Sequence, residues 1–257
     1  MASPISNTFT VWHALFLREA LDRFFGARAG WAWQVIEPAA HMMLMCGFFS
    51  LYRPSMGSVD VFTWICMGML GFFLFRRTAV QTQHAVDCNR AFFAFRQVRP
   101  FDAAFARGGV EAFSMFLVSL VIIIPMAFLG KQAWPADVLL CSLAMWGLWL
   151  LGFGYGMITS VIQRLVPESG HIFAILMMPL YILSGVIMPV SNIPMPYQRW
   201  LMYNPIAHGL EYVRHGFIHN YRMAADASLG YFFAWIFAFI LAGLILYKLY
   251  DTRLVMQ

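Results

Sequence analysis

Charged side chains are scarce in this chain, and their scarcity excludes a water-soluble fold. Charged residues make up 11% of the 257 positions and hydrophobic residues 61%, whereas a soluble domain carries about 25% charged residues. A bilayer core of about 30 Å needs about 20 apolar residues per helix. We therefore expect six membrane spans and no separate soluble catalytic domain.

Several motifs of nucleotide and sugar chemistry are missing as well. The sequence has no Gly-x-x-x-x-Gly-Lys-Ser/Thr phosphate loop, so we expect that it does not hydrolyse ATP on its own. It also lacks an Asp-x-Asp pair of the kind used by sugar transferases and the Gly-x-Ser-x-Gly turn of hydrolases. The four cysteines have no paired spacing, which argues against a disulfide framework or a metal cluster. No catalytic residue and no metal site are predicted.

The first segment, residues 8–27, has the pattern of a helix that lies on the membrane surface. Its apolar side chains share one face of a helical wheel: Phe16, Leu17, Ala20, Leu21 and Phe24. On the other face, Arg18 pairs with Asp22 and Glu19 with Arg23 at the i,i+4 spacing of a surface helix. The segment has no signal-peptide cleavage site, so we predict an amphipathic helix on the cytoplasmic side.

Six hydrophobic runs follow and predict an all-α protein with six transmembrane helices. The runs cover residues 32–52, 60–81, 109–129, 136–163, 171–190 and 229–250. An even number of spans puts both termini on the same side of the membrane. With both termini inside, twelve of the 17 Lys and Arg residues are cytoplasmic, in agreement with the positive-inside rule.

A proline-broken tract lies between the fifth and sixth runs. Five of the 12 prolines interrupt apolar sequence between Pro179 and Pro205. Lipid tolerates interrupted backbone only where protein or a water-filled cavity covers its polar groups. We therefore predict re-entrant helices over 189–222, a feature that favours a transporter over a membrane anchor.

A histidine-rich helix is predicted within this tract. One side of it carries His208, Glu211, His215 and His219, and Leu210 and Val213 lie on the opposite side. One straight helix rarely offers more than two ligands to a zinc ion. We therefore interpret the segment as an amphipathic helix on the outer surface.

The largest cytoplasmic connection mixes arginine with phenylalanine. Its candidate docking residues are Asp87, Asn89, Phe92, Phe95, Arg96 and Arg99. Aromatic and arginine side chains are favoured anchors of protein interfaces. A short helix over 86–98, ended before Pro100, would either bind a cytoplasmic partner or rest its phenylalanines in lipid and its arginines on anionic headgroups.

Arg76 and Arg77 are predicted at the inner edge of the hydrocarbon or inside it. The apolar stretch before them, 61–75, supplies about 22 Å of helix. At that depth the two guanidinium groups either snorkel to the headgroups or face a wet cavity that would suit an anionic cargo.

The first run and the fourth contain further candidates. Trp31 and Trp33 suit the aromatic belt at the headgroup level. Glu37 and His41 share a helix face, which leaves a structural hydrogen bond, a proton relay and a substrate contact open. Tyr155 lies in Gly152-Phe-Gly-Tyr-Gly, which we interpret as a site of close helix packing and not as a nucleotide loop.

Taken together, five stretches resemble the permease subunit of type-2 ABC exporters, and most of all the capsular polysaccharide export permeases of Gram-negative bacteria. These stretches, in chain order, are 14–19, 28–41, 98–107, 179–189 and 203–211. The resemblance covers nearly the whole chain.

This resemblance implies a homodimer in the bacterial inner membrane that works with two ATP-binding subunits, which hold ATP and Mg²⁺. Residues 8–27 would be the interface helix, and the stretch from Asn89 to Val98 would couple to the ATPase. Ser184, Gly185 and Pro189 would belong to a gate at the outer mouth. The implied cargo is a long acidic glycan on a lipid, passed to a periplasmic co-polymerase and an outer-membrane channel; no nucleic acid is expected.

The expected contacts with this cargo combine cationic and aromatic residues: Arg28, Trp31, Trp33, His41, Arg76, Arg77 and Tyr155. Export of another glycan (O-antigen or teichoic acid) is an alternative. A membrane enzyme acting on lipid-linked sugars is another, although the acidic residues are dispersed along the chain. A histidine-ligated electron carrier would need histidines facing one another within spans.

Overall fold

The computed structural model describes residues 4–26, 30–52, 55–56, 59–94, 98–190 and 193–255. The elements in chain order are α1 (Pro4–Phe25), α2 (Gly30–Tyr52), β1 (Ser55–Met56), β2 (Val59–Asp60), α3 (Val61–Gln83), α4 (Ala85–Cys88), the 3₁₀ helix η1 (Arg90–Ala94), α5 (Pro100–Phe128), α6 (Val138–Leu165), α7 (Ser169–Leu183), α8 (Met195–Leu201), α9 (Pro205–Phe217), α10 (Leu229–Leu249) and α11 (Asp251–Val255). Apart from the two-residue antiparallel ladder of β1 and β2, these ranges are helical or irregular. The predicted all-α class is confirmed.

The long helices run back and forth between two ends of the bundle. One end, called the α1 end, contains α1, the end of α3 and the start of α5: Trp12 of α1 donates to Asp102 of α5 over 2.7 Å, and Arg77 of α3 contacts Glu111 of α5. The opposite end, called the α9 end, contains α9 and the start of α3, since Arg214 of α9 donates to the Trp64 carbonyl over 3.3 Å. Helix α3 therefore runs from the α9 end to the α1 end, and α5 runs in the opposite direction, since Lys131 after α5 contacts Asp60 before α3.

Four of the six predicted spans are long and apolar enough to cross a membrane in the described part of the chain. They are α3, α5, α6 and α10. The first predicted run forms α2, a helix of 23 residues. The fifth forms α7, which has 15 residues and ends at Leu183. The structure thus supports a multi-pass membrane protein with four candidate spans.

Helix α3 lies at the centre, and the glycines of α6 allow close approach to it. A Cβ atom on Gly152 would lie 2.5 Å from the carbonyl oxygen of Phe75, and one on Gly156 would lie 2.6 Å from that of Ala79. A Cβ on Gly154 would lie 2.9 Å from the Ile240 nitrogen of α10. Small residues at such crossings let helix backbones meet in a membrane protein. The interpretation of this motif as a packing site is confirmed.

Helix α1 contains both predicted ion pairs, and its charged side is partly buried against other helices. Glu19 and Arg23 contact each other over 2.9 Å, and Arg18 lies 3.9 Å from Asp22. Glu19 is buried against the body of the protein, however, while Leu17 and Leu21 are exposed. Part of the predicted apolar side is therefore left uncovered by the rest of the described chain, and the charged side contacts other helices. A helical wheel shows which residues share a face, but the ionic partners that bury a charged face come from other helices.

The segment predicted as one helix over 86–98 is divided in two, within its described residues. Asn89 separates α4 from η1, and its side-chain amide donates to the Ala85 carbonyl over 2.9 Å. This local hydrogen bond competes with continuation of the helix. Phe95 and Arg96 lie outside the described residues.

Candidate functional site

Helices α2 and α7 each leave a side uncovered by the rest of the described chain. On α2 this side contains Trp33, Glu37, His41, Leu44 and Phe48. On α7 only Ser169 and Met177 are buried. Its exposed apolar residues include Ile172, Ile175, Met178 and Ile182.

Aromatic side chains of α2, α3 and α7 meet between these two uncovered sides. The ring of His41 lies 5.7 Å from that of Phe73, which lies 6.4 Å from that of Tyr181 on α7. Arg76, one turn beyond Phe73 on α3, is exposed beside them. We call His41, Phe73, Arg76 and Tyr181 the seam groove. It brings a cation and aromatic rings together between a largely apolar side of α7 and a side of α2 that also carries Glu37.

Arg77 points away from the seam groove although it follows Arg76 directly. Its guanidinium donates to Glu111 of α5 and, over 2.9 Å, to the side-chain oxygen of Gln34. Consecutive residues on a helix lie about 100° apart because the helix has 3.6 residues per turn. The predicted arginine pair is therefore separated into one exposed residue and one that binds a buried carboxylate.

Arg77 belongs to a group of ionic residues that ties α1 to the bundle. We call this group the α1 cluster: Arg18, Glu19, Arg23, Arg77, Arg107 and Glu111. Arg23 contacts Glu111 over 2.7 Å, and Arg107 contacts Glu19 over 2.8 Å. Four arginines against two glutamates leave the cluster with a net charge of +2.

The arginines of the α1 cluster favour the charged form of Glu19. Burial alone would raise the pKa of Glu19, but the nearby Arg107, Arg23 and Arg18 outweigh it and hold that pKa below its ordinary value. Glu111 is fully buried between Arg23 and Arg77. Sequence reasoning missed Glu111, although an acidic residue near the start of the apolar run 109–129 was a visible signal.

The predicted coupling residues lie at the α1 end, and some of them contact α1. Asn89 is buried and accepts a hydrogen bond from Arg18, whose guanidinium carbon also lies 3.9 Å from the centre of the Phe92 ring. Asp87 contacts Arg90 over 2.6 Å. Arg99 is exposed, and its backbone nitrogen donates to Asp102 at the start of α5. The exposed surface that contains Arg90 and Arg99 is thus connected to the α1 cluster through the contact of Asn89 with Arg18.

Among the remaining predicted cargo contacts, the structure describes the side chains of Trp33 and Tyr155. Trp33 is exposed on α2, whereas Arg28 and the side chain of Trp31 lie outside the described residues. Tyr155 packs against Phe75 at 5.9 Å, Phe173 at 6.3 Å and Phe239 at 6.2 Å. The Tyr155 ring therefore fills space between helices.

The predicted gate residues form a tight turn after α7. Ser184 accepts a hydrogen bond from Asn204 over 2.8 Å. Gly185 has φ +72°, a left-handed conformation that favours glycine. Pro189 is buried at the end of the turn. We call residues 184–190 the gate turn.

Helix α9 is buried in the bundle, which contradicts its predicted place on the outer surface. His208, Glu211 and Arg214 are all buried, and only His215 and His219 of the predicted polar face are exposed. Burial lowers the pKa of His208, which lies 2.7 Å from the Met202 carbonyl. The sequence pattern missed this burial because most hydrogen-bond partners of these polar groups lie outside α9.

Comparisons with known proteins agree with this architecture. The family model described as "ABC-2 type transporter" matches residues 10–218. The Polysialic acid transport protein KpsM of Escherichia coli is 29% identical over 236 residues, 91% of each chain. The Capsule polysaccharide export inner-membrane proteins CtrC of Neisseria meningitidis serogroup A and BexB of Haemophilus influenzae are 26% and 25% identical, over 79% and 93% of this chain and 77% and 90% of theirs. This chain belongs to the ABC-2 type transporter family.

Proposed function

We propose that this chain is the permease subunit of an ATP-driven exporter that moves lipid-linked acidic capsular polysaccharide across the inner membrane. The observation that carries the proposal is the match over nine tenths of the chain to a protein named for polysialic acid transport. Polysialic acid is an acidic glycan. The exposed Arg76 in the seam groove supports an anionic cargo, because a guanidinium at membrane depth binds an anion or reaches for water.

Two copies of the chain enclose the path in this proposal. The uncovered sides of α2 and α7 would face each other across the dimer axis, with the seam groove of each copy lining the space between them. Closed two-fold symmetry is the commonest arrangement of a homo-oligomer. Helices α2, α3, α5, α6, α7 and α10 would be the six spans, with both termini in the cytoplasm.

Two ATP-binding subunits would bind at the α1 end and would carry the ATP and Mg²⁺. The exposed Arg90 and Arg99 supply part of the docking surface. Movement of α4 and η1 would reach α1 through Asn89 and Phe92, which both contact Arg18. Helix α1 then serves as the interface helix, held to α5 by the α1 cluster.

At the α9 end the gate turn and α8 would close the outer mouth. Opening would release the glycan to a periplasmic co-polymerase and from there to an outer-membrane channel. Arg28, Trp31 and Trp33 would receive the lipid anchor at the opposite end. Export of another acidic glycan would use the same groove.

The deciding experiment deletes the gene and measures capsule at the cell surface against polymer retained inside. We expect that the deletion abolishes capsule at the cell surface and leaves polymer inside the cell, and that the wild-type gene restores surface capsule. Complementation with Arg76→Gln should restore less surface capsule than Arg253→Gln, which removes an exposed arginine on α11. Unchanged surface capsule after deletion would disprove the proposed function.

A further inference from the structure

Arg214 of α9 is a fully buried arginine that contacts three separate parts of the chain. Its Nη2 donates to the carbonyl oxygen of Val186 over 3.0 Å, and its Nε donates to that of Trp64 over 3.3 Å. The guanidinium carbon lies 3.6 Å from the centre of the Trp64 ring. Glu211, one turn earlier on α9, lies 3.5 Å from Nη1. Arg214 thus connects α9, α3 and the gate turn.

Stability alone does not account for this arrangement. Taking two charges out of water costs several kcal/mol per ion, and an apolar replacement of similar volume is often neutral or stabilising. Nη1 of Arg214 makes no hydrogen bond within the described residues. Glu211 is shared with the Tyr221 hydroxyl at 2.9 Å and the Ala224 nitrogen at 2.9 Å. An incompletely satisfied buried pair points to a positional role.

The carbonyl group that Arg214 binds lies in the gate turn, where few other polar contacts act. Within the described residues, the other side-chain hydrogen bonds of this turn both involve its first residue: Asn204 donates to Ser184, and Ser184 donates to the Leu180 carbonyl. Val186 has a fully buried side chain, so the turn is closed at this position. A charge-assisted hydrogen bond to a carbonyl is stronger than a neutral one, and here it joins the turn to α3 through one guanidinium.

The sequence of α3 leaves space for this guanidinium. A Cβ atom on Gly68 would overlap with Nη2 of Arg214. Trp64, one turn earlier, provides the aromatic face under the same group. Gly68 and Trp64 therefore form the α3 side of the Arg214 site, and any side chain at position 68 would displace the donor that binds Val186.

We propose that Arg214 is a positioning residue that holds the gate turn closed against α3, through its hydrogen bond to the Val186 carbonyl. The turn opens when this bond breaks, while Arg214 remains with Trp64 and Glu211. This role rests on the proposed function, since it assigns the closed state of the outer gate. It differs from a cargo contact because the guanidinium is enclosed and never meets the glycan.

The test measures how fast a cysteine introduced into the gate turn is labelled. Val186→Cys is made in the full-length protein with Cys88→Ser, because Cys88 is an exposed native cysteine. Spheroplasts are treated with a membrane-impermeant maleimide, and the labelling rate is read by mass spectrometry. Arg214→Met should raise the rate by about tenfold or more, the fold-change expected for loss of one hydrogen bond to a charged group. Arg214→Lys should give an intermediate rate.

Gly68→Ala provides an independent variant that leaves Arg214 in place. It should raise labelling of the introduced thiol as Arg214→Met does, and the two changes together should be less than additive because they remove the same contact. Gly47→Ala on α2 is the matched control, since a Cβ there meets nothing within 4 Å. It should leave the labelling rate unchanged.

Labelling of the native buried Cys141 on α6 shows whether a substitution opens only the gate turn or loosens the packing of the whole protein. The Cys141 backbone packs against Gly216 of α9, two residues after Arg214. If Cys141 becomes labelled in parallel with the introduced thiol, the role is merely structural and the proposal is overturned. Equal labelling of the introduced thiol with and without Arg214→Met or Gly68→Ala, in proteins of normal abundance, would also overturn it. Labelling needs no cargo, so failure here is independent of which glycan is exported.

Discussion

Arg23 of α1 and Glu111 of α5 form an ion pair of 2.7 Å in which the carboxylate is fully buried. Glu111 also binds Arg77 of α3, so one carboxylate joins three helices. Removing one member of a buried pair leaves a charge without compensation, which costs more than the pair itself contributes. This relationship explains how a helix with a charged face can pack against membrane spans.

Glu111→Gln should strongly destabilise the protein. The change leaves Arg23 and Arg77 without their shared carboxylate, and breaking a buried pair costs about 3–5 kcal/mol. The melting temperature of the purified protein in detergent should fall accordingly. Glu168→Gln, in the exposed connection before α7, should melt as the wild type does. A wild-type melting temperature for Glu111→Gln would mean that the α1 cluster does not hold α1.

Stability should decline in acid through Glu19. The surrounding arginines lower the pKa of Glu19 below its ordinary value of 4.5, against the opposing effect of burial. A carboxyl group with a lowered folded pKa stabilises the native state above its unfolded pKa, and this contribution is lost as the pH falls through the folded pKa.

Melting temperatures measured from neutral pH down to about pH 3 should therefore fall more steeply for wild type than for Glu19→Gln, which has no such titration. Glu19→Gln should already be less stable at neutral pH. Parallel pH profiles for the two proteins would contradict the role assigned to Glu19.

Asp60 should contribute to stability in two separable ways. Its carboxylate accepts a hydrogen bond from the Thr63 nitrogen over 3.0 Å, which caps α3, and it pairs with Lys131. Asp60→Ala should cost about 0.5–2 kcal/mol through the cap alone, whereas Asp60→Ser should retain the cap and lose only the ion pair. Chemical denaturation measures both, with Asp226→Asn, an exposed residue, as the control. Equal losses for the two substitutions would show that the cap contributes nothing.

The exposed side of α7 should bind a second copy of the chain. Ile175 is 71% exposed on α7, and Leu139 is 79% exposed on α6. In a background with Cys88→Ser, Ile175→Cys in membranes should crosslink into dimers under mild oxidation or with a short bifunctional reagent. Leu139→Cys should not crosslink, because in the proposed dimer α6 turns this position toward lipid. Dimers formed equally through both positions would indicate random collision and would disprove a specific α7 interface.

Much of the helical framework was predictable from local sequence. The apolar runs located α3, α5, α6 and α10 because a membrane span needs a minimum length of apolar sequence. The glycines at 152–156 indicated close packing because a residue without a side chain lets any partner helix approach its backbone. The i,i+4 pairs of α1 were correct because helix geometry alone brings those residues together.

The partners of polar residues were not predictable in this way. The sequence placed Arg76 and Arg77 together and the histidine-rich helix on the surface, whereas the structure exposes Arg76, pairs Arg77 with Glu111 and buries Arg214. The pairs that decide these positions link residues far apart in the sequence, such as Arg23 with Glu111 and Arg214 with Val186.

The sequence by itself determined that this protein is helical and embedded in a membrane, because those properties follow from apolar length and short-range helix geometry. Only the tertiary structure decided which face of each helix packs inward. In lipid an apolar face is stable on the outside, so hydrophobicity does not distinguish outside from inside. The buried partner of each charged group determines which face packs inward, and that partner comes from another helix.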